Sequence, residues 1–127
     1  MSKPVVLAVD DEPHILFILS QVLNSKGCEV LTADCGEDAI KAAIKEMPDL
    51  IILDVMMPDI SGYEVCQHLK SNQTTKEIPI VILTAEQNEE HKESMFRMGI
   101  ADYISKPFSP NGLSSKIDEI LNSISGN

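Results

Sequence analysis

Five short apolar runs, each followed by a longer stretch in which apolar residues recur at helical spacing, organise this chain of 127 residues. The runs are Val5–Val9, Glu29–Ala33, residues 50–53, residues 80–83 and residues 101–104. Each is rich in Val, Ile or Leu and about the length of a strand. Three of them are almost uninterrupted apolar sequence, the pattern of strands covered on both faces. Strand–helix alternation on this scale predicts an α/β fold, with a parallel sheet between two layers of helices.

The helical stretches carry their own punctuation. The first opens with Asp11, Glu12 and Pro13, acid followed by a first-turn proline. Its stripe is Ile15, Leu16, Ile18, Leu19, Val22 and Leu23, and Gly27 ends it. The second, residues 36–47, turns Ala39, Ile40, Ala43 and Ile44 inward and stops at Pro48. The third, residues 60–71, carries Val65, Cys66 and Leu69. The fifth starts at Ser109-Pro110 and carries Leu113, Ile117, Ile120, Leu121 and Ile124. The fourth, residues 87–98, differs, because its first half is polar and only Met95, Phe96 and Met98 anchor it. Helices gain most of their stability from packing an apolar face, so this one is expected to be the least firmly held. Right-handed crossovers prune the topologies. The expected sheet is doubly wound and flavodoxin-like, in the order 2-1-3-4-5, within one domain spanning residues 1–127.

Charge and composition narrow the function. Ten basic against twenty acidic residues leave a net charge of −10, which argues against nucleic-acid binding as the main work and against docking on an anionic membrane. The apolar content of 43 % excludes a disordered chain, and no apolar run is long enough to insert in a bilayer. Met1-Ser2-Lys3-Pro4 leads straight into a strand-like run with no cleavage-like site, so no signal peptide is expected. Cys28, Cys35 and Cys66 are odd in number and form no CxxC pair, and the first two flank a strand. A reduced, cytoplasmic protein is expected. His14, His68 and His91 fall on three different helices at no ligand spacing and read as ordinary histidines, and the six methionines as gap-fillers.

Parallel strands bring their C-terminal ends to one edge, where open α/β sheets bind ligands. Asp10, Asp11 and Glu12 follow the first strand, Asp54 the third, Thr84 the fourth, and Lys106 lies just past the fifth. Three converging carboxylates repel one another unless a cation joins them. Oxygen ligands without Cys or His point to a hard ion, Mg²⁺ first and Mn²⁺ as the alternative. A carboxylate nucleophile, a divalent ion, a lysine and a hydroxyl are the parts that stabilise a transferring phosphoryl group. The residues thus point to phosphorylation of Asp54 as an acyl phosphate. Taken singly, the acidic pair reads more readily as a helix cap than as a metal site, Thr84 could cap the fourth helix and Lys106 could be a surface lysine; their joint placement at successive strand ends favours the site.

Four segments carry a family resemblance across nearly the whole chain: Asp10-Asp11, residues 54–62 (Asp-Val-Met-Met-Pro-Asp-Ile-Ser-Gly), Leu83-Thr84-Ala85, and residues 101–108 (Ala-Asp-Tyr-Ile-Ser-Lys-Pro-Phe). Together they resemble the receiver domain of bacterial two-component response regulators, in a single-domain, chemotaxis-regulator-like form. The resemblance implies that Asp54 is the phosphoacceptor. It implies Asp11 as the direct Mg²⁺ ligand, Asp10 as one acting largely through water, and the Met56 backbone carbonyl as a further ligand. Lys106 would pair with the carboxylate and then the phosphate. Thr84 would move to the phosphoryl oxygen and Tyr103 would report that movement by its rotamer. Ala85, Met56 and Glu86 would line the phosphate's access path. Lys106-Pro107 would be a cis peptide, and Gly62 would allow a tight turn.

The implied function is a phosphorylation-dependent signalling switch, not an enzyme beyond catalysing its own phosphorylation and dephosphorylation. Its donor would be a sensor histidine kinase or a histidine phosphotransfer protein, and its target a downstream protein or an effector domain. The output face would be the fourth helix, fifth strand and fifth helix, in a monomer or a phosphorylation-dependent dimer. The length leaves no room for an effector within these residues. Two rivals fit less well. A phosphohydrolase with an Asp nucleophile needs a second carboxylate two residues on, where Met56 stands. A nucleotide- or flavin-binding module needs a Gly-rich loop where this chain has Asp10-Asp11-Glu12-Pro13, whose acids would repel phosphate.

Overall fold

The computed structural model of the chain describes residues 3–85 and 89–124. Its elements alternate throughout: β1 (Val5–Val9), α1 (Pro13–Ser25), β2 (Glu29–Ala33), α2 (Gly36–Glu46), β3 (Leu50–Asp54), α3 (Gly62–Ser71), β4 (Ile80–Thr84), α4 (Glu89–Arg97), β5 (Asp102–Ser105) and α5 (Pro110–Ile124). The five strands form one parallel sheet in the order β2-β1-β3-β4-β5, the doubly wound topology that the alternation predicts.

Successive strand residues point to opposite faces, and each face has its own core. Leu7, Val9, Ile51, Leu53, Ile80 and Ile82 pack with Ala39 and Ala43 of α2, Val65, Cys66 and Leu69 of α3, and Met95 of α4. Val6, Ala8, Leu50, Ile52, Val81 and Leu83 pack with Leu19 and Leu23 of α1 and with Leu113, Ile117 and Ile120 of α5. Helices α2, α3 and α4 on one face and α1 and α5 on the other thus cover β1, which leads into Asp10, and β3, which ends at Asp54.

Several boundaries differ from the sequence reading, each for a local reason. Helix α3 starts at Gly62 rather than residue 60, because the Ser61 hydroxyl accepts from the Glu64 amide and caps it. Helix α2 stops one residue early, where Met47 takes a left-handed φ of 48° ahead of Pro48. β3 and β4 run one residue further than expected, so Asp54 and Thr84 are themselves strand residues. β5 is shifted by one residue, to Asp102–Ser105. Ile44 does not turn inward but is exposed, and so is Phe96. Among the described side chains of α4, Met95 alone is buried.

Gly62 is not needed for a turn of unusual hand. Positive φ falls at Gly27 and Gly99. A Cβ on Gly62 would lie 2.6 Å from Val55 Cα and 2.8 Å from the Asp54 carbonyl oxygen, so this glycine permits a backbone-to-backbone approach beside the end of β3. The three cysteines are free, and no described helix is long and apolar enough to cross a membrane.

Candidate functional site

The sheet register delivers four side chains to one edge. Val9 pairs with Leu53, Asp54 with Leu83, and Thr84 with Ser105, so the residues that end or follow these strands meet at the same level. The Lys106 amide donates to the Thr84 carbonyl at 2.8 Å, which fixes the start of the Lys106 side chain against β4. The Lys106–Pro107 peptide bond is cis.

Asp10 is completely buried. One of its oxygens accepts from the Glu12 amide at 2.9 Å, tying the strand end to the start of α1. Its other oxygen, Oδ2, lies 2.9 Å from Lys106 Nζ and accepts no well-aligned hydrogen bond, so its charge is met by the ammonium alone. Asp54 is 3 % exposed; its Oδ1 accepts from the Met56 amide at 3.1 Å and its Oδ2 lies 3.5 Å from Lys106 Nζ. Burial pushes the Asp54 carboxyl above the usual carboxylate range; the Met56 amide and Lys106 pull it down, while Asp10 adds to the rise. Burial also works against the Lys106 ammonium, but its contacts with Asp10, Asp54 and Glu12 outweigh that and raise its pKa.

A cleft of about 320 Å³ opens above these groups, lined by Asp11, Glu12, Asp54, Met56, Ala85 and Lys106. Asp11 is exposed at its mouth, and the carboxylates of Asp10, Asp11 and Glu12 lie within 4.8 Å of one another. An all-oxygen donor set, an excess of carboxylates over the one lysine and a buried Asp10 oxygen without an aligned donor suit a hard divalent cation. Asp10, Asp11 and Glu12 are the grouped carboxylates that could hold it, and Asp54 and Met56 line the same cleft. The Met56 side chain, 75 % exposed, stands at the rim.

Thr84 is buried at the end of β4. Tyr103 is not in the cleft. It is half-buried on β5, with Lys92 Nζ 4.5 Å above its ring and 3.5 Å from its hydroxyl, and Phe96 edge-on at 6.0 Å. It therefore joins β5 to α4. Glu86 lies outside the described residues. A second cavity, of about 460 Å³, adjoins the cleft and shares Glu12, Ala85 and Lys106 with it; Ile15, Ile18, Pro107 and Phe108 make it mainly apolar.

Two participants escape the sequence reading. Glu12 reads there as a helix-opening acid, yet its Oε1 lies 3.6 Å from Lys106 Nζ. Asp59 reads as one residue of a motif, yet both its oxygens accept backbone hydrogen bonds from the first residues of α2. The run of acids at residues 10–12 is a signal for the first; nothing local signals the second.

Residues 6–118 match the family model of the response regulator receiver domain. The alkaline phosphatase synthesis transcriptional regulatory protein PhoP of Bacillus subtilis is 42 % identical over 116 residues, covering 91 % of this chain and 48 % of its own length. The chain thus spans about half the length of such curated relatives. The chemotaxis response regulator CheY4 of Vibrio cholerae superposes with a TM-score of 0.87 at 34 % identity, covering 94 % of this chain and 99 % of its own. The receiver domain of sensor histidine kinase PA1611 from Pseudomonas aeruginosa has a magnesium ion coordinated in its active-site cleft. It superposes with a TM-score of 0.85 at 25 % identity, covering 99 % of this chain and all of its own.

Proposed function

The chain belongs to the response regulator receiver domain family, and on that premise we propose that it is a phosphorylation-dependent signalling switch whose phosphoacceptor is Asp54. The observation that carries this reading is the single lysine placed between two buried carboxylates at the strand edge, Lys106 Nζ to Asp10 at 2.9 Å and to Asp54 at 3.5 Å. An Asp54 carboxylate oxygen attacks the phosphorus of a phosphohistidine on a sensor kinase or phosphotransfer protein. The P–N bond breaks as the O–P bond forms, and the leaving imidazole takes up a proton. Asp10, Asp11, Asp54 and the Met56 carbonyl would hold Mg²⁺, with Mn²⁺ as a substitute, and the bound ion supplies charge neutralisation for the transferring group. Lys106 stays with the new phosphoryl oxygens as their fixed cation. Ala85, small and exposed, leaves the approach open. The chain acts only on itself, and its site of action is the cytoplasm.

The phosphoryl group adds about two negative charges in place of one. Thr84, at the end of β4, is drawn to them. Tyr103 follows, and with it the contacts to Lys92 and Phe96 of α4. The readout is then the face made of α4, β5 and α5, offered to a downstream protein, an effector domain or a second copy. The test is incubation with Mg²⁺ and acetyl phosphate followed by intact mass. One phosphate is gained by the wild type and none by Asp54→Asn; a gain that survives Asp54→Asn sinks the assignment.

A further inference from the structure

Lys106 is the one cation among the described residues that line the cleft, and three carboxylates share it. Asp10 Oδ2 lies 2.9 Å from its Nζ, Asp54 Oδ2 3.5 Å and Glu12 Oε1 3.6 Å. The three acids are held very differently. Asp10 is buried, and its other oxygen is tied to the Glu12 amide, so it is fixed in place. Asp54 is the group that reacts. Glu12 is half exposed, and its backbone is locked as the N-cap of α1, its carbonyl accepting from Ile15 and Leu16 at 3.1 and 3.2 Å. Its side chain makes no capping hydrogen bond and instead points one oxygen toward Lys106 and the other to within 3.8 Å of His14 Nε2. It stands in the wall shared by the cleft and the apolar cavity beside it.

We propose that Glu12 is a positioning residue that draws the Lys106 ammonium toward α1 and so competes with the phosphoryl group on Asp54 for it. The inference deepens the function proposed above and depends on it. Once Asp54 carries the acyl phosphate, its own carboxylate charge is replaced by phosphoryl oxygens further out in the cleft. Lys106 must then divide itself among Asp10, Glu12 and those oxygens. Asp10 cannot follow it outward, so the charge on Glu12 sets how completely the ammonium is released to the phosphate. Neutralising Glu12 tightens the hold on the phosphoryl group and makes the switch slower to reset.

The experiment uses beryllofluoride, a mimic of the phosphoryl group on aspartate, titrated calorimetrically into the Mg²⁺-loaded wild type, Glu12→Gln and Glu12→Ala. In parallel, phosphate loss is followed by intact mass after acetyl phosphate is removed. Both variants should bind the mimic about twofold to fivefold more tightly, the range for a partly exposed ion pair, and lose phosphate correspondingly more slowly. Equal or weaker affinity in Glu12→Gln, or a gain confined to Glu12→Ala, overturns the competition and leaves a packing effect. The gain should persist at saturating Mg²⁺. A gain that vanishes there assigns Glu12 to the ion instead of Lys106 and also overturns it. A wild type that takes neither the mimic nor phosphate at Asp54 fails the proposed function itself; a wild type that takes both, with Glu12→Gln unchanged, fails the competition alone.

Discussion

The carboxylate of Asp59 caps helix α2 from across the molecule: Oδ1 accepts from the Gly36 amide and Oδ2 from the Glu37 amide, each at 2.9 Å. Two of the four amide groups that a helix N-terminus leaves unsatisfied are met by a residue 23 positions away, in the loop that follows Asp54. These hydrogen bonds, Gly36 first, hold the Asp59 carboxyl at a pKa of about 2. A depressed pKa contributes stability that is present above the unfolded value, about 3.9, and is lost as pH falls through the folded one. Asp59→Asn is therefore expected to melt below wild type at neutral pH, by an amount that added salt reduces, and the gap should close between about pH 4 and pH 2. Thermal melts across that range check it; a gap independent of pH counts against the charge.

The strands, the helix stripes and the parallel sheet are legible because they depend on periodicity within one segment. The site is legible because a parallel sheet brings every strand's C-terminal end to one edge, so Asp10, Asp54, Thr84 and Lys106 converge once the strands are placed. What is not legible depends on pairs far apart in the chain. The cap from Asp59 to α2 is a tertiary contact with no local pattern, and the run of acids at residues 10–12 marks Glu12 without showing which cation it reaches. Exposure is equally non-local, since Ile44 and Phe96 sit at apolar helix spacing yet are exposed.

Gly62→Ala tests the close backbone approach beside Asp54. Its Cβ would meet the Val55 Cα and the Asp54 carbonyl, both backbone, which cannot swing aside. Overpacking of this kind costs about 1–3 kcal/mol. Urea unfolding should show that loss, and phosphorylation by acetyl phosphate should slow because the end of β3 is displaced. Normal stability with normal phosphorylation would mean the loop has room to spare.

Asp54 pushes the other way from Asp59. Its pKa is raised, chiefly by burial, so its contribution is favourable below the unfolded value and lost as pH rises through the folded one. At neutral pH without Mg²⁺ the ionised carboxylate is a cost. Asp54→Asn keeps an acceptor for the Met56 amide and leaves Lys106 its shorter contact with Asp10. The variant should melt above wild type at pH 7, with the advantage shrinking as pH falls toward 4. Mg²⁺ should stabilise the wild type more than the variant. A variant that melts lower at pH 7 refutes the sign.

Met56 stands exposed at the rim of the cleft, where an apolar side chain offers an attacking water no hydrogen bond. Met56→Asn places an amide there and should shorten the life of the phosphorylated state about threefold or more by orienting that water. Phosphate loss followed by intact mass measures it directly. A variant that loses phosphate no faster than wild type removes Met56 from the control of hydrolysis.

Helix α4 is where the switch has least to overcome. Met95 is its one buried side chain among those described, while the other helices each set at least two residues into the core. Further ties run to the half-buried Tyr103, through the Phe96 ring and the Lys92 ammonium. A helix held this way opens locally at low free energy, so amides in Glu89–Arg97 should exchange faster than those of α1, α2, α3 and α5. Thr84 ends the strand that leads into it, and in the proposed switch the phosphoryl group draws on Thr84. Phosphorylation should therefore change exchange within Glu89–Arg97 more than within α1, whose Leu19 and Leu23 are fully buried. Hydrogen exchange read by mass spectrometry, with and without acetyl phosphate and Mg²⁺, decides the matter. Identical exchange in the two states would take α4 out of the output face.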